Sequence, residues 1–203
     1  MDHPDNVLIR PATSTDVDGI TNCVNAAYAH FVHRMGNLPG PLLDDYKGAV
    51  SERQTFVAIN RKDGVGVLVL VRLQDAMLLE NVAVHPSAQE RGLGGKLMAL
   101  AEQESRKQGY SDIQLYTHVK MTENIAMYLK MGWTETSRRF VDGFDRVHMS
   151  NALTPTTTLR YELINRQPQV GPSLKPAPTP VNVHCNMNEL RLAIQFRELR
   201  HLA

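Results

Sequence analysis

Cysteine is scarce in this chain. Cys23 and Cys185, the two in 203 residues, stand far apart and form no C-x-x-C pair. That argues against a disulfide framework or a thiolate zinc site and fits a reducing compartment. The eight histidines form no H-E-x-x-H or comparable cluster, so no metal is expected. No apolar run approaches the roughly 20 residues of a membrane span. The N-terminal MDHPDNVLIR lacks the basic and apolar regions of a secretory signal. A cytoplasmic protein acting away from membranes is the expectation. Charge of one sign is missing as well: a net charge of +1 gives no bulk attraction to nucleic acid. Internal repeats are absent. What is present, a hydrophobic fraction of 42%, suits one globular domain with an appendage.

The patterning predicts alternating elements. Val7 to Arg10 reads as a short strand. Thr13-x-x-Asp16 reads as a capping box with Asp in place of Glu or Gln, ahead of Val17, Ile20, Val24, Ala27, Tyr28 and Phe31 at helical spacing. A Gly- and Pro-containing loop follows, with room for a second short helix from Leu42 to Ser51. Three strands come next, Phe56–Ile59, Val65–Leu73 and Met77–Val84, as an antiparallel meander with a turn at Lys62-Asp63-Gly64. Leu93, Leu97, Leu100 and Ala101 mark a helix stopped at Gly109. A strand at Ile113–Thr117, a helix at Thr122–Met131, and a hairpin of Trp133–Phe140 with Arg146–Ser150 around Asp142-Gly143 complete the domain, taken as residues 1–153. Six of the eleven prolines lie between Pro155 and Pro180. Residues 154–187 therefore read as a flexible linker, and 188–203 as a short amphipathic helix that is either a docking segment or without selected function.

The chemistry concentrates in LLENVAVHPSAQERGLGGKL, Leu78 to Leu97. A buried strand runs through a glycine-rich loop straight into a helix, a design that presents backbone N–H groups and the positive end of a helix dipole to an anion. Arg91 and Lys96 flank the glycines. The spacing is not that of a Rossmann fingerprint, because position 97 is leucine where the third glycine belongs. Nor is it a P-loop, because positions 90 and 97 are Glu and Leu. Gln89, Gly92 and Gly94 complete [QR]-x-x-G-x-[GA]. After an apolar strand ending V-A-V-x-P, that pattern resembles the acetyl-CoA-binding motif of the GNAT superfamily of N-acetyltransferases. MTENIAMYLKMGW, Met121 to Trp133, is similar to a second segment of that family, N-x-x-A-x-x-x-Y-x-x-x-G-[FYW]. The resemblance covers about residues 7 to 152 and implies an α+β, GNAT-type fold: a mixed, mostly antiparallel twisted sheet flanked by helices. The stretch after 153 then lies outside the family pattern.

The resemblance also implies roles. Gln89, Arg91, Gly92, Leu93, Gly94, Gly95 and Lys96 would hold the pyrophosphate of acetyl-CoA, which is co-substrate. The strand at Val82, Ala83 and Val84 would splay from its neighbour and pair with the pantetheine, with backbone near Val82 and Ala83 facing the thioester oxygen. Asn124 and Tyr128, four apart on one helix face, would bind pantetheine and protonate the leaving thiolate. A core tyrosine is the plainer reading of Tyr128. Glu80, ordered water or His118 could serve as general base, and Asn81, expected on the face opposite Glu80, competes for the same place. Tyr28, Arg34 and Tyr46 are candidates for an acceptor pocket, with Arg34 either holding a substrate carboxylate or capping a helix. Arg138, Arg139 and Phe144 in the last hairpin are further candidates. The function implied is direct transfer of acetyl from acetyl-CoA to a primary amine, on a small molecule or a peptide, by an enzyme whose relatives are often homodimers. The alternative is a non-catalytic acyl-CoA-binding sensor or interaction module.

Overall fold

Strand β4 (Met77–Val84) and strand β5 (Asp112–His118) run parallel and part company, and that separation organises the molecule. The computed structural model describes residues 7–153. The expectations for 154–187 and 188–203 lie outside those residues. The described residues form a seven-stranded sheet in the order β1-β2-β3-β4-β5-β7-β6. The remaining strands are β1 (Val7–Pro11), β2 (Gln54–Asn60), β3 (Asp63–Arg72), β6 (Thr134–Val141) and β7 (Phe144–Ala152). Every neighbouring pair except β4 with β5 is antiparallel. A parallel pair needs a crossover, and helix α3 (Leu93–Lys107) supplies it.

Two apolar layers hold the sheet. On one face, Leu97, Met98 and Ala101 of α3, with Ile125 and Tyr128 of α4 (Thr122–Lys130), pack on Leu68, Leu79 and Leu115. On the other, α1 (Val17–Met35) and α2 (Tyr46–Glu52) bring Ile20, Val24 and Ala49 against Val57, Val67 and Val69. Strand β3 is buried on both faces, which is why it reads as a continuous aliphatic run. Gly64 lets α1 approach closely: a Cβ there would meet the Gly19 carbonyl at 3.1 Å. The hairpin turn at Asp142 and Gly143 has φ of 51° and 78°, the paired left-handed geometry that joins twisted strands in two residues.

Element order agrees with the sequence expectation, and boundaries move by a few residues. The turn between β2 and β3 falls at Arg61-Lys62, so Asp63 already pairs with Asn60. The second helix starts at Tyr46, capped by the Asp45 carboxylate on the Lys47 N–H at 3.0 Å, while Gly40–Leu43 forms a separate 3-10 turn.

Simple alternation fails in β4. Val69 pairs with Asn81 and Leu70 with Leu79, so Glu80 is the extra residue of a bulge. The bulge shifts the phase, and Glu80 and Asn81 both bond to groups around α1 and α2 instead of facing opposite ways.

Candidate active site

The pairing of β4 with β5 is confined to Met77–Leu79 with Ile113–Leu115. From Asn81 to Val84 the strand pairs on the β3 side and not on the β5 side. An unpaired strand edge inside a sheet demands hydrogen-bond partners. This wedge leaves Val82, Ala83 and Val84 beside an open edge, and it leads directly into the glycine loop.

The loop is held by its own side chain. Gln89 Nε2 donates to the Val84 carbonyl at 3.0 Å, tying the loop back to the end of β4. Gly92 is the N-cap of α3 with φ +75°, a conformation that favours glycine. Lys96 N–H makes the first intrahelical bond, to the Gly92 carbonyl. The N–H groups of Leu93, Gly94 and Gly95 thus form the orphan first turn. No side chain caps them, and no acidic residue stands in that turn. Gly94 and Gly95 are required by neither backbone nor packing: their φ is not positive, a Cβ on Gly95 would meet nothing within 4 Å, and one on Gly94 would meet only Val84 Cγ2 at 3.9 Å. Two glycines early in a helix, each weaker than alanine by up to about 1 kcal/mol, therefore leave space for something outside the protein to approach. Exposed Arg91 and Lys96 add positive charge. The cradle fits a pyrophosphate.

Across the wedge stands α4. Tyr128 is buried beside Trp133, ring centroids 5.9 Å apart, and burial pushes its phenol up to about 12. Asn124, one turn earlier, is half-buried and its Nδ2 donates to the Met121 sulfur at 3.8 Å. The first turn of α4 is fastened to α1 by Arg34, whose Nη1 lies 2.7 Å from Glu123. Arg34 is therefore engaged with a protein carboxylate and stacked 5.6 Å over Phe31.

A buried polar relay lines the other side. Tyr28 donates to Asn81 Oδ1 at 2.9 Å, Asn81 Nδ2 donates to the Tyr46 hydroxyl at 3.0 Å, and Tyr46 donates to the Pro41 carbonyl at 2.8 Å. Burial raises the Tyr28 phenol, and the nearby Tyr128, Tyr46 and Tyr116 phenols raise it further. Residues from both faces of the sheet thus converge at the wedge. Glu80 sits beside this relay with Oε2 2.7 Å from Arg53 Nη1, which also holds Asp44 at 2.9 Å.

Residues 51–135, which contain the wedge, the cradle and α4, match the family model described as Acetyltransferase (GNAT) domain. Over that segment the chain is similar to GNAT acetyltransferases. A mouse protein named N-acetyltransferase family 8 member 3 is 25% identical over 150 residues, covering 70% of this chain and 65% of its own length, so the chain spans just under two thirds of that relative. Two solved structures share the fold. The PaiA N-acetyltransferase of Thermoplasma acidophilum, solved in complex with coenzyme A, superposes with a TM-score of 0.62 at 15% identity, over 72% of this chain and 99% of its own. The ribosomal-protein-S18-alanine N-acetyltransferase of Escherichia coli gives 0.60 at 20% identity, over 74% and 96%. Among the described residues no helix is long and apolar enough to cross a membrane, and no cluster of His, Cys, Asp or Glu could hold a metal ion.

The structure brings Tyr28, Tyr46, Glu80 and Tyr128 to the wedge, and Gln89 to Lys96 to its foot. Other candidates lie elsewhere. His118 accepts from the Lys120 N–H at 3.1 Å and so shapes a turn; burial, with Lys120 and Arg146 nearby, lowers its pKa. Arg138 is exposed and pairs with Glu135 at 2.8 Å. Cys23 is fully buried, its thiol pushed up to about 11. Arg53, which holds Glu80, Asp44, which shares that arginine, and Tyr116 and Arg146, beyond the wedge, carried no motif. The one signal for Arg146 was a cation at the head of a strand whose alternate residues, Val147 and Met149, are apolar.

Proposed function

We propose that this protein is an acetyl-CoA-dependent N-acetyltransferase that moves the acetyl group directly to a primary amine. The observation that carries the reading is the uncapped, glycine-lined start of α3 placed at the foot of an unpaired β4 edge. One feature binds a pyrophosphate, and the other pairs with the amides of an extended arm. Acetyl-CoA supplies an activated thioester. The Leu93, Gly94 and Gly95 N–H groups, with Arg91 and Lys96, bind the phosphates, and Gln89 keeps the loop in place. Backbone near Val82 and Ala83 faces the carbonyl oxygen as it gains charge. Asn124 orients the arm.

Tyr128 holds its proton far above neutral pH and donates it to the departing sulfur. Glu80, at the bulge, accepts the proton of the attacking ammonium, with Arg53 fixing its position. Tyr28 and Tyr46 line the acceptor side, and Arg34 secures the helix that carries the acid. Direct transfer suits a site whose nearby Cys23 is buried and protonated. A cytoplasmic location and a homodimer belong to the same proposal.

Calorimetric titration with acetyl-CoA and CoA tests this reading. Micromolar binding, lost in Arg91→Glu, followed by amine-dependent thiol release, is the expected result. Binding without turnover of any amine would favour an acyl-CoA sensor. Failure of the folded protein to bind either ligand would remove the proposal, and parallel-line kinetics would remove direct transfer.

A further inference from the structure

Arg146 has no role in the chemistry above. It lies in β7, opposite His118 of β5 and Arg139 of β6 in the ladder. The residue is 7% exposed, and its guanidinium carbon stands 4.4 Å from the Tyr116 ring centroid and 5.7 Å from that of Phe144. Its Nη1 is buried and has no hydrogen-bond partner in the protein. No carboxylate of the described residues forms an ion pair with it. The charges around it do not compensate. Burial, with Arg139 and Arg146 adding to it, lowers the pKa of His148, and burial, with Lys120 and Arg146 adding to it and Asp145 opposing, lowers that of His118. A buried guanidinium with an unmet donor and cationic neighbours is costly unless an anion completes it.

Its location says which anion. Tyr116, the ring under Arg146, is also among the phenols that act on Tyr28 at the wedge. Phe144, the other ring, packs against the cluster of Phe31, Met35 and Met121 at the end of α1. Tyr28 packs against the same cluster, so Arg146 lies over a ring that shares its packing with a residue of the proposed acceptor side, on the α1 face of the sheet. Arg34, the cation suggested by sequence for a substrate carboxylate, is already paired with Glu123.

Resting on the acetyltransferase reading, we propose that the acceptor is a small amino acid, whose carboxylate is bound by Arg146 against Tyr116 while its amine enters the wedge. The planar fork of arginine pairs two N–H groups with one carboxylate, and stacking fixes the plane of that fork. Arg146 is in this sense a specificity-determining residue.

The test uses the full chain and a panel of α-, β- and γ-amino acids, each beside its carboxamide, which keeps the amine and removes the charge. Both turnover with acetyl-CoA and calorimetric binding to the CoA-saturated protein are read. At least one acid is expected to exceed its amide by about 10- to 100-fold in kcat/KM or affinity, the worth of one charge-assisted contact. In Arg146→Gln the acid-to-amide ratio should collapse toward one, with Arg146→Lys intermediate. Equal handling of acid and amide by the wild type overturns the proposal, as does a preference that survives Arg146→Gln. A preference found only with peptides that begin with Asp or Glu overturns the amino-acid assignment. If Arg146→Gln does not fold, the wild-type ratio and the lysine variant decide. Absence of CoA binding would sink the acetyltransferase reading by itself, and titration of acid against amide without CoA would still read Arg146.

Discussion

At the scale of single residues, the two glycines that begin α3 separate stability from binding. Gly95 has open space where a Cβ would go and an ordinary helical φ. Gly95→Ala should therefore keep the midpoint of thermal unfolding or raise it, by up to about 1 kcal/mol in stability. It should weaken CoA binding by an order of magnitude in calorimetry, because the new methyl meets the phosphate. A variant that lost stability and kept its affinity would contradict the cradle. Tyr128 offers the converse. Tyr128→Phe keeps the buried ring and its contact with Trp133, so CoA binding should persist while turnover falls by about 10²- to 10⁴-fold, the usual worth of a positioned acid. With the phenol pushed up to about 12, the wild-type rate should show no loss from ionisation of this group below about pH 11. An alkaline decline well below that, absent from Tyr128→Phe, would assign the group a different environment. The motif made Tyr128 legible in sequence. Arg53 and Arg146 were not legible, since Arg53 reaches Glu80 27 positions along the chain and Arg146 lies over Tyr116 of another strand.

At the scale of elements, the bulge and the wedge carry the site. Both arise in β4, whose composition, LLENVAV, is that of an ordinary buried strand. Alternation in that run assigns Glu80 and Asn81 to opposite faces. The extra residue at Glu80 defeats the rule, because the phase of a strand is set by its ladder and a bulge resets it. The helices were easier to read. Their apolar spacing and the glycines after them, Gly109 and Gly132 with φ of 83° and 89°, are local signals. Packing between elements gives its own prediction. Gly66 of β3 lies where β2 and α3 meet, and a Cβ there would come within 3.0 Å of Ala58 Cβ and 3.2 Å of Leu97 Cδ1. The leucine can turn aside and the alanine cannot. Gly66→Ala should thus cost about 1–3 kcal/mol, measured as a lowered urea midpoint. An unchanged midpoint would mean that β2 and β3 separate more readily than their pairing indicates.

At the scale of the whole molecule, the polar groups on the sheet face away from α3 and α4 tie stability to pH. Burial, with Arg139 and Arg146 nearby, lowers His148 to about 4 from an ordinary 6.5. The unfolded chain then binds more protons than the native one between those values, so stability should rise as pH climbs from about 4 to about 6.5. Asp16, held well below the usual carboxylate range by Arg10 at 2.7 Å and by Thr13, adds a loss at still lower pH of the same sign. Urea midpoints collected from pH 4 to pH 7.5 should show the climb, and His148→Gln should flatten it. An equal slope in the variant would place the titrating group elsewhere. What the sequence determined alone was everything carried by neighbours along the chain: the order of elements, the turn glycines, the cradle from Gln89 to Lys96, and the Asn124–Tyr128 spacing. Those depend on backbone conformation and on periods of two or 3.6 residues. Tertiary structure alone decided how far β4 pairs with β5, which partner Glu80 and Arg34 take, and that Arg146 is left with an unmet donor. These depend on which side chains meet across strands and helices distant in the chain, and no local period encodes that.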